Sequence, residues 1–329
     1  MTARQRDVIA GAMAMALGLV NGAVVAAAVS GPYPTRPVRM IVPYAPGGGD
    51  DTLARYVGQA LSEAFGQSFV IDNRGGGGTI LGSDLAAKAP PDGYTLIMVA
   101  STHAVLASLY KTLPFDPIRD FAPIVRVASA PNILVVHPSL HATSVKELVA
   151  LAKARPGEIV YASSGNGGGS HLAMELFRSI TRIELVHVPY KGTGPAMIDL
   201  LSGQAKIMFG GMIGTITHVR SGRLRAIAIS SSARSAAMPE VPTVAESGYP
   251  DYEATTWYGM LGPAAIPRAI VTALNTRVVN ALKDQKMQAR IAAQGAETAA
   301  GTPEEFATYI RTEQVKWAKV VRESGARPE

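Results

Sequence analysis

The sequence predicts two α/β lobes, each a parallel sheet covered by helices on both faces, and three observations carry this. A unit of strand, glycine loop and helix occurs early in the chain and again in its second half. The loops joining these elements are short, which favours parallel strands with helical crossovers. The chain has 329 residues, 47% of them hydrophobic, enough for two ordinary cores. Its 33 glycines and 22 prolines punctuate apolar runs instead of forming a low-complexity tract, so a folded protein is expected.

At the N-terminus, Arg4 and Arg6 precede an apolar stretch from Val8 to Val20 and then the small residues Ala26, Ala27, Ala28 and Ser30. This order reads as a secretory signal over residues 1–30, cleaved near Ala28 or Ser30. Asn21, Gly22 and the Gly31-Pro32 break weaken the competing reading as a permanent anchor. No later segment reaches membrane-spanning length without charge, so a periplasmic mature protein is expected.

In the mature chain, a strand from Val38 to Val42 leads through Pro46, Gly47, Gly48 and Gly49 into a helix striped by Leu53, Val57, Leu61 and Phe65, which Gly66 ends. A second strand, Phe69 to Ile71, runs into Asn73, Arg74 and Gly75 to Gly78, and an apolar stripe follows to Lys88. The pattern returns with a strand from Ile159 to Tyr161, the loop Ser163 to Gly169, a helix striped by Leu172, Leu176 and Ile180, and a strand from Leu185 to Val188. Tyr190 to Gly194 then opens a helix through Leu201. Between these units, Asn132 to His137 reads as a short strand crossing from one lobe to the other, followed by a capping-box helix start at Ser144 to Glu147. Thr256 to Leu261 reads as the return, Pro267 opens a helix, and a second capping box at Thr302 to Glu305 starts the last one. Lobe 1 is therefore expected over 31–132 and 254–329 and lobe 2 over 133–253, with two crossings suited to hinge closure.

The net charge of +6 is scattered and aromatics make up only 6%, so nucleic acid is not an expected partner. The absence of cysteine removes disulfides, thiol nucleophiles and lipid-modified cysteine anchors. None of the glycine runs has the G-x-G-x-x-G spacing or a Walker lysine, and neither H-E-x-x-H nor G-x-S-x-G occurs. The six histidines are too dispersed for a local metal motif. No catalytic, metal or cofactor site is expected.

Four glycine-bearing loops, two per lobe, open onto helix starts, where unpaired backbone N–H groups and a partial positive charge hold anions. Ser101, Thr102, Ser163, Ser164 and Asn166 supply hydroxyl and amide partners nearby. Asp50 and Asp51 oppose an anion, and Asp51 reads as the cap of the helix that Leu53 begins. Tyr44, Tyr190, Trp257 and Tyr258 are either cleft walls or plain core.

Taken with Val42-Pro43-Tyr44-Ala45-Pro46-Gly47-Gly48-Gly49, Asp72-Asn73-Arg74, Pro91-Asp92-Gly93-Tyr94-Thr95-Leu96, Tyr161 to Gly167, Val188-Pro189-Tyr190-Lys191-Gly192 and Val241 to Gly248, the chain resembles the Bug family of substrate-binding receptors of tripartite tricarboxylate transport systems. The resemblance implies a type II periplasmic binding protein fold, a hinged cleft, and carboxylate ligands held largely by backbone amides and ordered water. It implies that Tyr44, Ala45, Gly47, Gly48, Gly49 and Asp51 line the first lobe with Ser101, Thr102 and His103. The second lobe would contribute Ser163, Ser164, Gly165, Asn166, Gly167 and Gly168, with Tyr190, Gly192, Thr193 and Gly194. Two positions depart from the family: Asp50 replaces a small residue, and Gly210-Gly211 stands where many members carry Asp-Asn. The expectation is a monomeric receptor that passes a small carboxylate to the membrane components of such a transporter. An enzyme acting on a carboxylate and a ligand sensor are the alternatives. Gly210-Gly211 points to a ligand without an ammonium group and to extra room where the side chains are missing.

Overall fold

Period-two and period-3.6 patterning place the first elements as expected. In the computed structural model, which describes residues 32–324, strand β1 (Val38–Val42) is followed by helix α1 (Gly49–Phe65) and strand β2 (Phe69–Asn73). The signal-peptide reading of residues 1–30 lies outside the described residues. Helix α1 buries Leu53, Val57 and Leu61 on one stripe, each worth about 1.5–3 kcal/mol of burial. It ends at Gly66, whose φ of 68° lets its N–H close onto Ser62 O. Helix α2 (Ile80–Ala87), strand β3 (Thr95–Ala100) and helix α3 (Thr102–Leu109) follow, and β1 pairs in parallel with both β2 and β3.

Strand β4 (Phe121–Val136) is far longer than the short crossing strand expected from Asn132 to His137. Proline normally ends a strand, yet β4 contains Pro123 and Pro131 and keeps pairing through register shifts after Pro123 and Arg126. Helix α4 (Val145–Ala154), strand β5 (Val160–Ser163), helix α5 (Gly169–Thr181), strand β6 (Val186–Pro189), helix α6 (Thr193–Leu201), strand β7 (Ile207–Gly211), helix α7 (Met212–Arg220) and strand β8 (Arg225–Ile229) form the second half. There β5 is parallel to β6 and β7. The chain returns along strand β9 (Thr255–Pro263) and finishes with helices α8 (Arg268–Lys283) and α9 (Gln285–Ala292), strand β10 (Glu297–Thr298) and helix α10 (Pro303–Ser324).

The strand order is β2-β1-β3-β9-β4-β7-β5-β6, with β8 and β10 also on β4. Two α/β lobes are thus joined by two long strands. Because those strands run in opposite senses, β9 is antiparallel to β3 and β4, and β4 is antiparallel to β7 and β8. The all-parallel expectation holds within β1–β3 and β5–β7 and fails at the centre. Pairing of β4 passes from β9 to β7 between Pro131 and Asn132.

One core packs Met40, Leu53, Leu61 and Met98 against Ile270, Leu274 and Val278 of α8. Another packs Leu148, Tyr161, Phe177 and Phe209. Trp317 of α10 packs against Val105 and Leu109 of α3 and Leu172 of α5, so the last helix touches both halves. Thr302 and Glu305 make the reciprocal bonds of a capping box, at 3.1 and 2.8 Å. At the other box, Ser144 Oγ accepts the Glu147 N–H at 3.2 Å, while the Glu147 carboxylate turns to the Thr143 N–H at 2.7 Å.

Candidate functional site

Helices α1, α5 and α6 start on Gly48, Gly168 and Gly192, and none has a side-chain cap among the described residues. Helix α7 starts on Gly211 in the same way and then kinks at Ile213 and Gly214. Uncapped first turns keep their N–H groups and their partial positive charge for an external partner. These ends meet. A methyl group added at Gly48 would lie 3.6 Å from Thr193 Oγ1, and one at Gly47 would lie 3.6 Å from Gly194 Cα. The Ala45 N–H donates to Lys191 O at 2.8 Å, joining the β1–α1 loop to the β6–α6 loop. Gly49 and Gly211 both border the Tyr258 hydroxyl, and Gly169 borders Thr256 Oγ1 and Ser101 Oγ.

Side chains at this seam are buried and poor in positive charge. Asp50 is 8% exposed, and its Oδ1 has no hydrogen-bond partner among the described residues. Burial raises the Asp50 carboxyl to about 7 against the pull of its own backbone N–H in the first turn of α1, with a smaller push from the Asp51 carboxylate. The phenols of Tyr44 and Tyr258 are pushed up by burial first and by Asp50 as well. Tyr44 donates to Thr102 Oγ1 at 2.7 Å.

Asp51 is not the helix cap that its position suggested. It lies in the first turn, where its Oδ2 accepts the Gly47 N–H at 3.1 Å and its Oδ1 pairs with Arg55 at 2.8 Å. Burial pushes its carboxyl up, but the bonds from Arg55 and Gly47 outweigh that and hold it below the usual carboxylate range. Asp51 therefore shapes the loop and keeps its charge on Arg55.

A cavity of about 290 Å³ opens beside the seam. It collects Tyr44, Ser164, Gly165, Asn166 and Tyr190 from the expected site. Sequence reasoning missed Thr79, Ile80 and Tyr110, and left Gly76 to Gly78 outside the site although it recognised them as a glycine loop, while Lys191 falls within the expected Tyr190–Gly194 segment. A methyl group at Gly78 (φ 61°) would collide with the Tyr110 hydroxyl and approach Asn166 O to 3.0 Å. Lys191 is the one charged residue on the cavity wall. Tyr190 donates its hydroxyl to the Asp199 carboxylate, and burial first, then Asp199, pushes its phenol to about 12.

The remaining expected residues divide. Ala45, Gly47, Gly48, Gly49, Ser101, Gly192, Thr193, Gly194 and Gly211 lie at or beside the seam, Thr102 reaches it through Tyr44, and Gly168 packs within its own loop against Ser164 and Gly165. Gly167, with φ of 72°, packs against Leu109. His103 does not reach the cavity: its Nε2 bonds Pro117 O at 2.8 Å and its ring packs edge-on to Phe121. The extra room expected at Gly210-Gly211 is absent. A methyl at Gly210 would lie 2.4 Å from Thr215 Oγ1, and one at Gly211 would lie 3.3 Å from the Tyr258 hydroxyl. Trp257 is core, fully buried against Phe306 and Tyr309.

The Ser163–Gly168 loop is held from behind. Ser163 Oγ accepts the Gly165 N–H at 3.1 Å and bonds His187 Nε2 at 2.7 Å, and His171 Nδ1 accepts the Gly167 N–H at 3.1 Å. The rings of His171 and His187 stack at 4.3 Å. Ser163 is fully buried, and its bonds to His187 and to the Gly165 N–H hold the loop in place. Among the described residues no cluster of three His, Cys, Asp or Glu could hold a metal. None of their helices is long and apolar enough to cross a membrane.

Comparison with known proteins fits this geometry. The family described as "Tripartite tricarboxylate transporter family receptor" matches residues 53–326. Protein BugT of Bordetella pertussis is 41% identical over 90% of this chain and 91% of its own length. A protein of R. palustris solved with adipate superposes with a TM-score of 0.88 at 36% identity, covering 90% of this chain and 100% of that one. MatC from Rhodopseudomonas palustris, with bound malate, gives 0.84 at 29% identity, covering 88% and 100%. The two α/β lobes joined by two crossovers are the periplasmic binding protein architecture of these relatives. The chain belongs to the tripartite tricarboxylate transporter receptors of the Bug type, a family of solute-binding proteins.

Proposed function

We propose that this protein is an extracytoplasmic receptor that closes around a small carboxylate lacking an ammonium group and hands it to the membrane components of a tripartite tricarboxylate transporter. The observation that carries the reading is the convergence of the uncapped, glycine-started helices α1, α6 and α7 from both lobes. Such ends bind an anion through backbone N–H groups without a dedicated arginine. The relatives solved with adipate and malate hold ligands of this class. The cavity of about 290 Å³ is at the lower end of the range for small-molecule pockets, roughly 300–1,000 Å³.

In this reading residues 31–132 and 254–329 form lobe 1 and 133–253 form lobe 2. The hinge lies where β4 exchanges β9 for β7, and the receptor works as a monomer in the periplasm after removal of residues 1–30. An ammonium ligand would need carbonyls, a carboxylate or an aromatic face to offset its desolvation. The space at Gly210-Gly211 where such a carboxylate would stand is taken by Thr215 and Tyr258.

Calorimetry on ligand-stripped protein tests this with succinate, adipate, malate and benzoate against aspartate and glutamate. An acid without an ammonium group is expected to bind at least about tenfold tighter than either amino acid, about 1.4 kcal/mol. Tightest binding of an amino acid overturns the ligand assignment.

A further inference from the structure

The buried carboxyl of Asp50 is used neither by the fold nor by the cleft as described so far. It sits in the first turn of α1, 8% exposed, with Oδ1 unpartnered among the described residues. Its place is at the seam between the lobes. A methyl group at Gly48 would lie 3.9 Å from Asp50 Oδ2 on one side and 3.6 Å from Thr193 Oγ1 on the other. The groups facing it are acidic or neutral: Tyr44 from the loop after β1, Tyr258 from β9, and Asp51 from its own helix.

The arginines on the surrounding elements are engaged elsewhere, and Lys191 of the β6–α6 loop stands on the cavity wall and is not among the groups that act on Asp50. Arg55 pairs with Asp51, Arg39 of β1 pairs with Asp72, Arg277 of α8 lies over Phe65, and Arg220 of α7 bonds Ala293 O and Ala237 O. A buried carboxylate with an open acceptor and no cation is costly, whereas the neutral acid is cheap and carries an O–H to donate. The anion expected at the uncapped start of α1 needs donors. An ionised Asp50 would repel it, and a protonated one would bind it through a short, charge-assisted bond.

We propose that Asp50 is a specificity-determining residue of the cleft that enters the complex as a neutral carboxylic acid and donates its O–H to a carboxylate oxygen of the ligand, so that each anion is bound together with one proton. This rests on the carboxylate-receptor reading and adds a proton to it. Asp50 needs no added proton when it is already protonated in the free protein. At higher pH the proton comes from solvent and the cost appears as lost affinity. The raised carboxyl, at about 7, puts that crossover near neutrality.

The test uses the mature protein stripped of ligand, with adipate and malate as probes, titrated calorimetrically between pH 6 and 8.5. The Kd of whichever probe binds tighter is expected to be flat near pH 6 and to rise at least about tenfold by pH 8.5. Measurement at pH 8 in buffers of different ionisation enthalpy is expected to show uptake of about one proton per ligand. Asp50→Asn keeps the shape and an N–H donor but cannot titrate. Its Kd is expected not to change with pH, and it is expected to take up no proton on binding. A parent Kd independent of pH, an affinity that grows with pH, or an Asp50→Asn protein that keeps the parent's pH dependence overturns the proposal while leaving the receptor reading intact. If neither acid binds at pH 6, the carboxylate reading fails and takes this proposal with it. An unchanged circular-dichroism melt confirms that the variant is folded.

Discussion

Gly194→Ala is expected to weaken ligand binding at least about tenfold while leaving the thermal transition of the ligand-free protein nearly unchanged. Gly194 is the second residue of α6, and its φ is not in the left-handed region, so the helix itself accepts alanine. The conflict lies across the cleft. An added methyl would stand 2.2 Å from Pro46 O, 3.3 Å from Pro46 C and 3.8 Å from Gly47 Cα, all in the β1–α1 loop. A carbon and an oxygen do not approach so closely, and both partners are backbone, so the loops must separate. The Ala45 to Lys191 backbone bond then opens, and the helix starts that face the anion move apart. Titration with the tightest-binding acid, alongside a melt of the unliganded protein, reads the two effects separately. A Gly194→Ala protein that binds within about threefold of the parent means that the bound state does not bring these loops together.

The parts legible in the sequence are those whose cause is local. The stripe of Leu53, Val57 and Leu61 fixes α1 and its buried face, and Gly66 fixes its end, because side-chain periodicity and a left-handed cap need no distant partner. The glycine loops are legible for the same reason. What the sequence hides is set by partners far along the chain. Pro123 and Pro131 read as strand breakers, but pairing with β9 carries β4 past both. Gly210-Gly211 reads as vacant space, but Thr215 occupies it at Gly210 and the Tyr258 hydroxyl borders it at Gly211. Tyr110 has no local mark of function and reaches the cavity because α3 ends beside Gly78. Asp51 has the residue type of a cap, yet Gly48 begins the helix and Asp51 reaches back to the Gly47 N–H. The family resemblance places His103 with Ser101 and Thr102 in the expected site. A helix turns successive side chains apart, so His103 goes to Pro117 and Phe121 while Thr102 meets Tyr44.

That misplaced histidine gives the second large effect, in acid. His103 is 2% exposed, its Nδ1 has no partner among the described residues, and its Nε2–H donates to Pro117 O. Burial is the main cause that lowers its pKa from 6.5 to about 4, and the bond to Pro117 O only partly offsets it. The folded protein therefore resists a proton that the unfolded chain accepts below 6.5. Stability from this group is complete above pH 6.5 and is lost progressively as the pH falls towards 4, where both states become charged. A gap of about 2.5, at about 1.36 kcal/mol each, comes to roughly 3 kcal/mol. Asp50 acts in the opposite sense over much of the same range. Its carboxyl is raised, so the folded state holds a proton that the unfolded chain releases, and stability falls as the pH rises towards 7. A variant separates the two. His103→Leu gives up the Pro117 bond at every pH but cannot titrate, and Asp50 is common to both proteins and cancels in the difference. Urea unfolding of the parent and of His103→Leu at pH 7.0, 5.5 and 4.5 is expected to show the parent ahead at neutral pH, then losing roughly 2 kcal/mol of that full difference relative to the variant by pH 4.5. Two stability curves that stay parallel over that range would mean that His103 is protonated inside the fold at no cost, which its contact with Phe121 and the unpartnered Nδ1 argue against.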